Sequence, residues 1–329
     1  MDFLELSAPT RNFLAAARMT IVICSLIALV FAGASCTERD KKGNVLDQTT
    51  YGTITIAVDE SLKPLIDAEI DTFEATYTNA HINIIYTSEE AAIRAMLQDS
   101  ARLAIVTRSL TEEENKYLLN QQYTCKEQLI AKGGIALIVN PASTLEELTI
   151  AQFKKILTGT NKLSELDKNF SSTPVVVVFD HPNSGIIRYL RDSVQQFDSL
   201  PSYCYAVNGN PQVIDYVSKN PQAIGLIDVS WISDRDDSTT NSFLGSIKVV
   251  GLSDGRDYFQ PYQSYIADRS YPLLRQVKVL NREARMGLGT GFTAFVAGPK
   301  GQLIVLKSGI VPAIMPKRVI EVSKEPFLP

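Results

Sequence analysis

The chain has 329 residues, 45% of them hydrophobic and 21% charged, with a formal net charge of −4. That composition supports about two domains with sizeable cores and excludes intrinsic disorder. It also excludes nucleic acid as a partner, because no Lys/Arg stripe or aromatic–basic interleaving could neutralise several phosphates, whereas a small anion needs only a local site.

Arg11 and Arg18 precede an uncharged run, MTIVICSLIALVFAGAS, which ends against Cys36. Residues 1–36 therefore read as a secretory signal, and Gly33-Ala34-Ser35 before Cys36 resembles a bacterial lipobox, with Cys36 carrying the lipid. The alternative is an uncleaved membrane anchor, for which the run is at the short limit. Both readings put the remainder outside the cytoplasm. Residues 37–50, TERDKKGNVLDQTT, form a polar tether. Cys24 would leave with the signal, so the folded part keeps Cys125 and Cys204, as a disulfide or as two free thiols. His81 and His181 are the only histidines, and no Cys or carboxylate cluster has ligand spacing, so neither a metal nor another cofactor is expected.

From Tyr51 the pattern alternates. TITIAV (53–58) predicts a strand, LKPLIDAEIDTFEATY (62–77) a helix with Leu65, Ile66, Ile70 and Phe73 on one side, and HINIIYT (81–87) a second strand. EEAAIRAMLQD (89–99) is a helix and RLAIVTR (102–108) a strand; in TEEENKYLLNQQ, Thr111 and Glu114 form a capping box. KGGIALIVNP (132–141) is a strand ending in a domain exit. Beyond it stand helix TIAQFKKILTG, strand PVVVVF, helix SGIIRYLRDSV, strand YCYAV, helix PQVIDYVSKN and strand AIGLIDV. DRDDSTTNS (234–242) reads as a solvated loop, with Trp231 packing beside it. SIKVVGLS (246–253) and VKVLN are strands, and TGFTAFVAGPKGQLIVLKSG is a helix.

Repeated strand–helix units predict an α/β fold with helices on the faces of a parallel sheet, and ligands outside the carboxyl ends of its strands. Three loops occupy that edge: Asp59-Glu60-Ser61, Thr87-Ser88-Glu89 and Thr107-Arg108-Ser109. A fourth follows PVVVVF, where Asp180-His181-Pro182-Asn183-Ser184-Gly185 leads into a helix that Asn183 or Ser184 can cap. Their hydroxyls and backbone N–H groups suit an anion, although Ser and Thr at such positions most often serve only as helix caps. The natural architecture has lobe 1 in residues 51–140 plus 246–329 and lobe 2 in 141–245, with a hinge near 138–142 and 244–252.

TLEELTIAQFKKILTGTNKLSEL, NPQVIDYVSKNPQAIGLIDVS, YPLLRQVKVL and GFTAFVAGPKGQLIVLKSGIVPA resemble corresponding segments of the phosphate-binding-protein-like branch of type II periplasmic substrate-binding proteins, over residues 50–325. The resemblance implies a two-lobed fold, each lobe a mixed, mostly parallel sheet flanked by helices, joined by a two-strand hinge. It implies a monomeric binding protein that closes on phosphate or a similar oxyanion and presents it to an ABC permease. It assigns ligand contacts to Ser61 and Leu62, to Thr87 and Ser88, to Thr107 and Arg108, and to Asn183, Ser184 and Gly185. Phosphate-specific members carry an arginine where this chain has Asp180 and an aspartate close to Arg108. On one reading Arg108 supplies the cation and Asp180 accepts the proton that hydrogen phosphate carries and sulfate lacks. On the other, the two pair across the cleft, or Asp180 caps its own turn.

An enzyme is not expected. There is no Gly-x-Ser-x-Gly elbow, and Asp180, His181 and Ser184 are too close on one short loop to form a relay. The alternative to transport is an envelope lipoprotein of the same fold that senses a ligand or binds a partner.

Overall fold

The computed structural model describes residues 46–166 and 172–316. The predicted signal, Cys36 and residues 37–45 of the tether lie outside these residues.

Strand β1 (Gly52–Asp59) leads through a short turn into α1 (Lys63–Thr76), β2 (Ala80–Thr87), α2 (Glu89–Leu97), β3 (Leu103–Val106) and α3 (Glu112–Asn120). β1 pairs in parallel with β2 on one side and β3 on the other. α3 begins with the expected box: Glu114 N–H donates to Thr111 Oγ at 3.2 Å, and Thr111 N–H to Glu114 Oε2 at 2.8 Å.

The next strand, β4 (Lys126–Val139), starts earlier than its sequence predicts and belongs to both lobes. Its first half, up to Gly134, pairs with β11 (Leu274–Asn281); from Ile135 onward it pairs with β8 (Ala223–Asp228). Lobe 2 also contains β5 (Glu147–Thr149), α4 (Ile150–Thr158), β6 (Val176–Phe179), α5 (Gly185–Tyr189), β7 (Cys204–Ala206) and α6 (Asn210–Lys219). β6 lies parallel to both β7 and β8. Each lobe's own strand–helix units thus run parallel, and the strands that connect the lobes add the antiparallel pairs.

Three local readings are corrected. The acidic stretch 234–242 is not all loop: Asp237 Oδ1 accepts from Thr240 N–H at 2.7 Å and caps a helix, α8 (Ser238–Ser246), following the short α7 (Ser230–Ser233). The predicted strand 246–253 is two, β9 (Lys248–Val249), which pairs with β4, and β10 (Gly251–Ser253), which pairs with β5. From there the chain continues through α9 (Gln263–Ala267) to β11. The last predicted helix divides into α10 (Leu288–Ala297) and α11 (Pro299–Lys307), because Pro299 has no N–H with which to continue the ladder and instead starts a new helix. β12 (Val311–Pro312) then pairs with β4.

The α1 face of β1 packs into the main core, where the Phe73 ring meets Tyr77, Phe292 and Phe295 edge-on. The opposite face packs Ala57, Ala104 and Val106 against Ala92, Ile93 and Met96 of α2. Cys125 and Cys204 are free thiols. Among the described residues no helix is long and apolar enough to cross a membrane.

Candidate functional site

The carboxyl ends of the parallel strands bring an acidic set together. Asp59 is the last residue of β1, Thr87 of β2 and Asp228 of β8, while Thr107 and Asp180 directly follow β3 and β6. Between them lies a cavity of about 230 Å³ lined by Asp59, Glu60, Tyr86, Thr87, Ser88, Asp180, His181, Ser184, Asn208 and Gly209. Both lobes therefore contribute to one chamber.

The other predicted contacts are distributed around it. Ser61 is buried beside the chamber; its hydroxyl accepts from Arg275 Nη2 at 3.1 Å and its carbonyl from Trp231 Nε1 at 2.9 Å. The Leu62 side chain sits in the apolar core. Thr107 donates through N–H and Oγ to Glu89 Oε1, at 2.7 and 2.6 Å. Arg108 does not pair with Asp180: its guanidinium forks onto Glu114 at 2.7 and 2.8 Å, which directs it along α3. Arg108 and Asn183 line a neighbouring cavity of about 350 Å³, of which Ser184 is also a wall. Ser184 caps α5, accepting from Ile187 N–H at 3.3 Å. At Gly185 the lobes approach closely, since a Cβ there would lie 2.5 Å from Asp59 Oδ2 and 3.0 Å from Thr107 Oγ1.

From the sequence, Asp59 and Glu89 stand out only as members of edge loops, and Arg188, Asp228 and Arg275 are not singled out at all. Arg275 is 3% exposed and alternates along β11 with the buried Val277 and Val279. It donates to Asp228, in a charge-assisted bond between elements of the two lobes. An arginine alternating with valines at buried strand positions was a legible signal. Arg188 extends from α5 to Glu89 and, at 3.0 Å, to Thr107 Oγ1.

The electrostatics follow from this crowding. Burial raises the Asp59 carboxyl well above its ordinary value, with Glu89 and Asp180 adding to the rise and Arg275 opposing it. Burial pushes Asp180 up to about 6, against the Ser184 hydroxyl and the His181 amide. Glu60 is likewise raised by burial, while Asn210 Nδ2, donating at 2.9 Å, draws it back. At Glu89 burial acts upward, yet Arg188 and Thr107 outweigh it and hold the carboxyl below the usual range. Asp59 Oδ2, Asp180 Oδ1, Arg275 Nε and Arg275 Nη1 are buried with no partner in hydrogen-bonding geometry. A group able both to accept and to donate would satisfy such a set. Among the described residues no three His, Cys, Asp or Glu side chains converge as metal ligands.

Residues 44–300 match the PBP superfamily domain. The phosphate-binding protein PstS of Pseudomonas aeruginosa is 20% identical over 289 residues, which is 82% of this chain and 85% of that protein. A crystal structure of a putative phosphate ABC transporter substrate-binding protein with bound phosphate, from Clostridium perfringens, is 24% identical, with a TM-score of 0.69 over 80% of this chain and all of that one. An ABC-type phosphate transport receptor from Vibrio cholerae is 20% identical, with a TM-score of 0.61 over 79% of this chain and 100% of its own.

Proposed function

Because the chain belongs to the PBP superfamily, we propose that it is an extracytoplasmic solute-binding lipoprotein. Anchored through Cys36, it closes its lobes on phosphate, or a similar small oxyanion, and delivers that solute to an ABC importer. It performs no covalent chemistry. The observation that carries the ligand is the pair of unmatched buried acceptors, Asp59 Oδ2 and Asp180 Oδ1, on two carboxyls that line the chamber. Hydrogen phosphate offers both accepting oxygens and a P–OH proton, whereas sulfate can only accept. The hydroxyls of Thr87 and Ser88 line the same chamber. The relatives named above as phosphate-binding proteins support the same class.

The acidic chamber sets a condition on this reading. Asp59, Glu60 and Asp180 line it and, among the described residues, no Lys or Arg does, so a fully ionised oxyanion would be repelled unless it carries protons or the carboxyls do. Phosphate should therefore enter in a protonated form.

Calorimetric titration of the dialysed protein with phosphate, arsenate, sulfate and a primary amine tests the assignment. Heat with phosphate and arsenate, with sulfate silent, is the expected result. Heat with the amine alone would transfer the chamber to cationic solutes. Loss of the protein from the membrane fraction on Cys36→Ala tests the anchor.

A further inference from the structure

Glu89 opens α2 in lobe 1 and Arg188 lies on α5 in lobe 2. Their side chains meet in a charge-assisted bond and are 2% and 20% exposed, respectively. The pair is built into both lobes. Glu89 is fixed by two donors from Thr107, and Arg188 donates through Nη2 to the same threonine while Asp192, one helical turn along, stands 3.5 Å from its Nη1.

Position in the sheet separates this contact from other inter-lobe bonds. The strand order is β2-β1-β3-β11-β4-β8-β6-β7, and β4 passes from one lobe to the other. Glu89 follows β2, four places from β4, and Arg188 lies in the helix after β6, two places from it. Trp231 and Ser230, which also bond to Ser61 across the lobes, come shortly after β8, the strand next to β4, and Ser61 follows β1, three places from β4, so this contact lies one place further in on each side. A small rotation about the crossing strand opens the outer contact before the inner one. That contact is an ion pair, so its rupture exposes and rehydrates two charges together.

We infer that the Glu89–Arg188 pair is the clasp of the closed state, governing how long a solute stays rather than which solute enters. The inference rests on the reading of the cleft as a solute site, and it deepens that reading. Both residues line the 350 Å³ cavity and neither lines the 230 Å³ chamber, so the clasp stands outside the chamber it closes.

The test is a cycle of Glu89→Gln, Arg188→Met and the double variant, made in the full chain and followed by stopped-flow phosphate binding and by hydrogen exchange. Each single variant should raise the phosphate dissociation rate at least tenfold while association stays within about threefold. The double variant should be no faster than the worse single one. Exchange should rise in peptides covering residues 89–92 and 185–189 while remaining unchanged in β1 and β8. Unchanged dissociation, or strictly additive effects, overturns the clasp. If the unaltered protein binds no phosphate, the ligand assignment fails by itself, and exchange still decides the clasp: equal protection in all four proteins rejects it.

Discussion

Arg275 of β11 donates to the Asp228 carboxylate at the end of β8, so a buried cation from lobe 1 neutralises a buried anion of lobe 2 beneath the cleft. Arg275 is 3% exposed and Asp228 2%, and neither charge has water to fall back on. Removing one partner strands the other. Arg275→Met should cost about 3–5 kcal/mol of stability, and Asp228→Asn a comparable amount. Arg275→Met with Asp228→Asn should cost less than either alone, since the double change leaves no buried charge. Chemical denaturation of the four proteins checks this; a double variant as unstable as the sum of the singles would show that the pair is not coupled.

Asp180 exchanges stability for binding. Its carboxyl, pushed up to about 6 by burial, keeps its proton in the folded protein at pH values where an unfolded aspartate, near 3.8, has lost it. Below pH 3.8 both states are protonated; between there and pH 6 only the unfolded state releases the proton, so stability falls as pH rises through this window and then levels. Asp180→Asn removes the penalty and should stabilise the protein by about 1–3 kcal/mol at pH 7.5, with little gain at pH 3.5. The same change should weaken phosphate binding at least tenfold by replacing a charged acceptor for its proton with a neutral amide. Melting curves at the two pH values and a titration measure both halves.

A second buried acid lies outside the site. Glu69, on the core side of α1, has neither carboxyl oxygen paired, and burial raises it to about 9. The sign is the same as for Asp180. Between the unfolded value of 4.5 and about 9 only the unfolded chain gives up the proton, and each pH unit lowers stability by up to about 1.4 kcal/mol. Glu69→Met, apolar and of similar length, should therefore be more stable than the native protein by a margin that widens from pH 5 to pH 8. Parallel stability-versus-pH curves would reject the assignment.

The α/β alternation of the chain was legible because apolar runs of four to eight residues alternate with helical periods, and the capping box at Thr111 and Glu114 was visible as a spacing. The site was legible only as an edge. Loops after β1, β2, β3 and β6 could be identified as neighbours from topology, and Thr87, Ser88, Asp180 and Ser184 do line one chamber. Which side chains point inward depends on partners far along the chain. Arg108 is drawn to Glu114 only six residues away, whereas Arg188 and Glu89 meet across 99. The split at Pro299 and the helix capped by Asp237 carried local signals. A polar composition outweighed the second of these in the reading of residues 234–242.

Gly185 tests closure without removing a charged side chain. It is the first residue of α5, where alanine is an intrinsically better helix former by about 1 kcal/mol. Within either lobe alone the substitution should be neutral or mildly favourable. Across the cleft it is not, because the new methyl would stand 2.5 Å from Asp59 Oδ2, 3.0 Å from Thr107 Oγ1 and 3.1 Å from Glu89 Cδ. These atoms are side-chain ends of the opposite lobe, and Thr107 and Glu89 are tied to each other and to Arg188, so relieving the contact disturbs the approach of the lobes. Gly185→Ala should thus retain its cooperative melt while phosphate affinity falls by two orders of magnitude or more, with amide exchange at residues 185–189 rising as it does when the clasp is removed. Retention of native affinity would mean that the two lobes do not need this approach to hold their solute.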